Sequence, residues 1–398
     1  MLTTGWVRVW VPFQYEEDAA IGHREFDLKL TDRVKMKMVG VPESSFDFWA
    51  AKFLAQGYKV GRVEQSETAL GAEMRLKDGK KAGKPAAKPS GGREIVRREL
   101  KSVLTSGTIV DGSMLEDDLA NHCVSIKEFT PTSGNNPTFG VCVVDAATAE
   151  FQLSTFEDDI SRTQLETLIR QHKPKELIHE KGNLTVSTLR VLRSSISLDC
   201  QWTALKPGTE FLRPDDTKQE LGKLFRKPAQ DSDAEMDGAA EALTQIPEAI
   251  TKMYNADEAM SALGGMIWYL RQLNLDQDLV TARNFNIYDP LSQGKALILD
   301  GQTLAHIEVL QNSQGGVEGT LLELLSKAIT PFGKRLFKIW LCAPLRDPVG
   351  INDRLDAVED IMNEPSFSAA FTTMAKKLPD LERMISRIHA KACTKEQL

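Results

Sequence analysis

Apolar residues at helical spacing mark the first element: Phe46, Trp49, Ala50 and Phe53 fall on one side of a helix over 46–54, and Gly57 closes it. YKVGRVEQ then reads as a strand, and a strand-like pattern resumes over 95–103. Further on, an apolar run over 139–144 and an alternating run over 150–156 flank a tight turn, which predicts a hairpin. An amphipathic helix follows over 163–172 with Leu165, Leu168 and Ile169 inward. Leu177 and Ile178 predict a short buried strand, 189–192 a helical piece and 198–202 another strand. Strands alternating with helices point to an α/β layer.

From about Ala239 the pattern turns helical. The stretch 253–275 carries Met260, Leu263, Ile267 and Leu270 at helical spacing, as a long packed helix would. Two brief apolar segments, 296–299 and 305–310, joined by Asp300 and Gly301, read as short strands. Thr330 before Pro331 is a helix start, a hydroxyl cap ahead of a residue whose fixed φ suits the first turn. Leu336, Ile339 and Trp340 form its apolar face and read as core. Pro344 ends it, and Asp347-Pro348 starts a second helix with Ile351, Leu355, Val358 and Met362 in register. A last helix is predicted over 377–389.

Composition changes this picture little. Five scattered cysteines with no C-x-x-C pair argue against a disulfide framework and a zinc site. No apolar run approaches the roughly 20 residues of a membrane span. The net charge of −7 does not advertise a nucleic-acid binder, but charge is uneven: 77–101 holds nine Lys or Arg against three Asp or Glu, while acids gather at 231–241. The basic stretch 76–93, rich in Lys, Gly, Pro and Ala, reads as a flexible loop.

Several long words point beyond these elements. T-P-x-G-x-R-L, W-L-x-x-P-L and I-x-x-R-L-D-A-V-E stand at 330–359; FWAAKFLAQGYKVGRVEQSET, FGVCVVDAATAEFQLSTFEDD and ELIHEKGNL stand upstream. In this order they resemble the MutS family of DNA mismatch-repair proteins, and GHREFDLKLTDRVKMKMVGVPE is most similar to its eukaryotic branch of MutS homologue six. The resemblance implies an α/β and α multidomain chain. A mixed α/β mismatch-binding domain would cover 1–128, a ribonuclease-H-like α/β connector 138–238, and the start of an α-helical core or lever domain 239–398. It also implies duplex DNA with mispairs as ligand, MutS homologue two as heterodimer partner, MutL-type repair factors downstream, and a nuclear setting.

The family's ATPase motif, G-x-x-x-x-G-K-[ST], is not in this sequence, and Gly79 to Lys84 is no substitute for it. ATP and magnesium are therefore expected only of a longer protein. A nuclease built on Asp145 with Glu150, Glu157, Asp158 and Asp159 is a weaker reading, as is a metal role for His172 or His179. The family's wedge is Phe-x-Glu, an aromatic that unstacks the mispair and a carboxylate that bonds it. Anchored on Asp18-Ala19 and Ile21-Gly22, its positions here are Val11 and Phe13. Phe13 and Tyr15 stand as substitute aromatics, and Arg33, Lys35, Lys37 and Met38 as the neighbouring DNA contacts. A protein-interaction fragment that no longer reads mispairs is the alternative.

Overall fold

A computed structural model describes residues 6–7, 13–33, 36–65, 98–115, 117–130, 136–225, 246–288, 296–297 and 299–391. The chain divides into two compact units, Met1–Ser106 and Gly107–Leu398.

The first unit contains β1 (Trp6–Val7), β2 (Phe13–Tyr15), α1 (Glu16–Phe26), β3 (Leu30–Arg33), β4 (Met36–Gly40), α2 (Phe46–Ala55), β5 (Lys59–Gln65) and β6 (Arg98–Leu104). Two three-stranded sheets result, in the orders β2-β4-β3 and β1-β5-β6. Asp27, in the left-handed region at φ 54°, stops α1. The stripe expected of α2 is realised in Phe46, Ala50 and Phe53, which are buried, and the Phe53 ring lies 4.3 Å from that of Phe26.

The second unit is built on a six-stranded sheet of β7 (His122–Phe129), β8 (Thr138–Asp145), β9 (Glu150–Glu157), β10 (Glu176–Glu180), β11 (Gln201–Leu205) and β12 (Phe285–Ile287). The order is β11-β10-β7-β8-β9-β12. β7, β8 and β9 are antiparallel, while β10, β11 and β12 run parallel to their neighbours. Three antiparallel strands are continued by two parallel ones on one side and by the parallel β12 on the other, and with the helices between them they form the α/β layer the pattern predicted. The predicted hairpin is β8–β9, in register from Thr138↔Glu157 to Asp145↔Glu150. β7, which runs through the residue expected to close the first domain, is a central strand of this sheet.

Helices α3 (Thr163–His172) and α4 (Val186–Ser195) pack on one face, against Val124, Ile126, Phe139, Val141 and Leu177. The other face carries α5 (Pro214–Leu224) and α7 (Asp257–Gln272), with α6 (Glu248–Lys252) and α8 (Asp276–Val280) at the ends of α7. The expected long helix thus starts at Asp257, after a turn at 253–255. Although sequence assigned it to the lever, it covers the α/β sheet.

Beyond the sheet come α9 (Gly301–His306), α10 (Leu321–Leu325), α11 (Pro331–Cys342), α12 (Pro348–Asn363), α13 (Pro365–Ala375) and α14 (Leu381–His389). Thr330 caps α11 by accepting from the Gly333 N–H at 3.2 Å, and Asp347 caps α12. Two expectations fail here. The segments read as short strands form none among the described residues: Ala296 makes an isolated bridge with Leu345, and 305–306 end the helix α9, whose start Asp300 caps by accepting from the Thr303 N–H. The face of α11 read as core is exposed: Leu336, Ile339 and Trp340 face out, while Arg335, Lys338 and Cys342 are buried. Ion pairs with Asp380 and Glu382 make the burial of Arg335 possible. Likewise α12, whose stripe read as core, buries none of its residues.

Candidate nucleic-acid interface

The cationic candidates lie on the small sheet of the first unit. β4 is its middle strand, paired antiparallel with β2 on one side and β3 on the other. Phe13 stands opposite Gly40 and Tyr15 opposite Met38. Across the other pairing, Arg33 stands opposite Met36 and Lys37 opposite Asp32. Lys37 is exposed. Its strand neighbours Met38 and Val39 are both buried, so this strand is covered on both sides at its centre. Met38, at 6% exposure, therefore packs inside the first unit. Lys35 and wedge position Val11 lie outside the described residues, as do the basic loop 76–93 and the acidic stretch 231–241. The sheet nevertheless brings Phe13, Tyr15, Arg33 and Lys37 onto three adjacent strands, an arrangement their sequence separation does not announce.

Two further features escaped the sequence. Phe48 is exposed on α2, and the Lys52 ammonium lies 4.5 Å from its ring and 5.0 Å from that of Trp49. An aromatic off the buried stripe, four residues ahead of a lysine, is the signal that could have found it. Second, β5 and β6 pair antiparallel to their ends, with Gln65 opposite Arg98. The stretch containing the basic loop thus leaves and re-enters the unit at the tip of one hairpin. On α1, Glu25 accepts from Tyr58 at 2.6 Å and from Arg24 at 2.9 Å, and these bonds, Tyr58 first, hold its carboxyl below the usual range.

The carboxylates of the second unit serve its turns. Asp145 is buried, and its carboxyl is pushed up to about 6 by burial, partly offset by the Ala147 N–H it accepts at 3.0 Å. Asp158 accepts from the N–H groups of Gln164 and Leu165, and Asp159 from that of Thr163, so both cap the start of α3. Glu150 accepts from the amides of Gln152 and Asn286. Among the described residues no three His, Cys, Asp or Glu are grouped to hold a metal ion. His172 is buried, its ring 4.8 Å from both His122 and Tyr288. His179 packs edge-on to Trp202. Cys123, Cys142, Cys200 and Cys342 are buried thiols, none of them in a disulfide. No helix among the described residues is long and apolar enough to cross a membrane.

Comparison with known proteins adds the following. A family model described as MutS domain I matches residues 13–113, one for MutS domain II matches 121–282, and one for MutS domain III matches 302–398. The chain is 35% identical over 397 residues to the DNA mismatch repair protein MSH6 of Saccharomyces cerevisiae, covering 95% of this chain and 30% of the relative. It is 35% identical to Msh6 of Homo sapiens, with 94% of this chain and 29% of that protein covered. Against the bacterial MutS of Desulforamulus reducens the identity is 29%, over 93% of this chain and 37% of the other. The chain spans about 30% of the length of the eukaryotic relatives it matches.

Proposed function

The chain belongs to the MutS family, and from that membership we propose that it binds mismatched duplex DNA in post-replicative mismatch repair, as the amino-terminal part of a longer subunit. The observation that carries this reading is the run of domain I, II and III matches in family order, together with mismatch-repair relatives aligned over nearly the whole chain. The longer protein would act in the nucleus, pair with MutS homologue two and hand on to MutL-type factors. Within this chain the work is binding.

Arg33, Lys35 and Lys37 would meet phosphate, while Phe13 and Tyr15 are substitute aromatics at and beside the wedge positions that lack the wedge's carboxylate. A mispair unstacks more readily than a sound pair, so deformation energy becomes discrimination. Exposure of Lys37 supports the phosphate role.

The test is anisotropy titration of labelled G·T duplex and homoduplex across a salt series. Neutralising about three phosphates gives a log–log slope of roughly −3, and Lys35→Ala with Lys37→Ala should flatten it by about two units. An unchanged slope would return those lysines to a solvated strand edge. Discrimination is expected to be poor as the chain stands, since Val11 offers no ring and Phe13 no carboxylate. Val11→Phe with Phe13→Glu should raise it by about 1–3 kcal/mol, the scale of one base-stacking contact. If neither form prefers G·T, the protein-interaction reading takes over.

A further inference from the structure

Residues 111–115 and 117–119 stand near the start of the second unit, and two helices from its far end grip them. Arg335 on α11 donates from Nη1 to the Asp118 carbonyl at 3.1 Å. Arg383 on α14 donates from Nη2 to the Leu119 carbonyl at 2.8 Å and to that of Asp118 at 3.4 Å. Lys334 meets the Asp118 carboxylate at 2.5 Å, and Arg387 lies 3.5 Å from that of Asp111. Arg335 is itself held in place: both Asp380 oxygens and Glu382 accept from it at 2.6–2.9 Å. Arg335 and Arg383 are 7% and 6% exposed, so these are desolvated bonds and worth more than surface pairs. The backbone makes room for them. A Cβ on Gly112 would stand 2.8 Å from Cδ of Arg383. Leu119 packs beneath, against the cluster of Leu304, Leu310 and Leu322.

We propose that Arg335 and Arg383 are positioning residues that strap residues 111–115 and 117–119 to α11 and α14, so that the order of this strap is set by how α14 docks on α11. Two main-chain carbonyls and two carboxylates converge on two planar guanidinium forks, a task the point charge of a lysine does not match. Whatever displaces α14 releases the strap, and whatever pulls on the strap loads α14. The proposal does not depend on the DNA reading.

Hydrogen exchange on the 398-residue chain tests it. Arg383→Met or Arg335→Met should speed exchange of the strap amides, Ser113, Leu115 and Leu119 among them, by at least about tenfold, while β8 amides stay within about twofold. Arg383→Lys should rescue only partly. Lys334→Met, which removes a half-exposed pair, should change the strap by less than about threefold. Should the arginine variants also loosen β8, Gly112→Ala decides, because it displaces only the Arg383 side chain. A several-fold rise confined to the strap is expected. Unchanged strap exchange in Gly112→Ala, or in both arginine variants, overturns the proposal.

Discussion

Lys173 ends α3 in the left-handed region, at φ 50°, and turns its ammonium inward to the Leu310 carbonyl at 2.5 Å. Burial first, and Lys338 second, lower its pKa from 10.5 to about 7. Nearby, burial takes His122 from 6.5 to about 3, and His172 is also held neutral with its Nε2 unpartnered. Each of these groups binds its proton more weakly in the folded chain. Their stabilising share is therefore fully present above the unfolded pKa and is lost as pH falls toward the folded one. For Lys173 the window runs from 10.5 down to about 7, and for His122 from 6.5 down to about 3. Asp145, raised from 3.8 to about 6, acts in the opposite sense and offsets part of the acid loss. Denaturant midpoints between pH 7 and 8.5, below the range in which the raised thiols of Cys142, Cys200 and Cys342 act in the opposite sense, should therefore show the second unit gaining stability, with Lys173→Met removing a gain on the order of 1–2 kcal/mol. An identical pH profile in the variant would show that Lys173 is charged in the fold. At this scale the sequence was half legible. A structural role for His172 was readable from its α/β setting, whereas the burial of Met38 was not, because alternation along β4 gives no sign of cover on both sides.

Elements were legible where period and punctuation agreed. The hairpin β8–β9, the helix α3 and the capped starts of α11 and α12 stand where the pattern puts them. Periodicity failed on α9, whose Asp300 cap outweighs a short apolar run. It failed again on the face of α11, since a stripe reports that two faces differ and not which one is covered. Nor did it report how closely α7 lies on the sheet. A Cβ on Gly140 of β8 would stand 2.0 Å from the Glu258 carbonyl carbon, and one on Gly265 2.5 Å from the Phe211 ring. Main chain meets main chain at Gly140 and cannot swing aside. Gly140→Ala should accordingly cost about 1–3 kcal/mol or more in thermal or denaturant unfolding, by overpacking. Gly222→Ala on α5, which meets nothing within 4 Å, should cost nothing measurable. Equal stability of the two variants would mean that α7 does not seat on β8.

Across the whole molecule, the order of the three segments was readable from long words in the sequence, while the exposure of the last helices was not. Leu355, Met362, Phe367, Phe371 and Met374 all present more than half of their surface to solvent. Apolar patches on this scale bind dyes and other apolar surfaces. Leu355→Glu with Phe371→Glu should reduce fluorescence of an apolar dye several-fold and suppress self-association in ultracentrifugation, with far-ultraviolet dichroism unchanged. Dye binding that ignores both substitutions would place the sticky surface elsewhere. The β5–β6 hairpin leads in another direction. Because Gln65 and Arg98 face one another, the residues between them are a detour that begins and ends at one spot. Closing such a detour costs only about 0.6 kcal/mol more for each doubling of its length. Closure entropy alone therefore sets little penalty on a change of length between Gln65 and Arg98 while β5 and β6 keep their register.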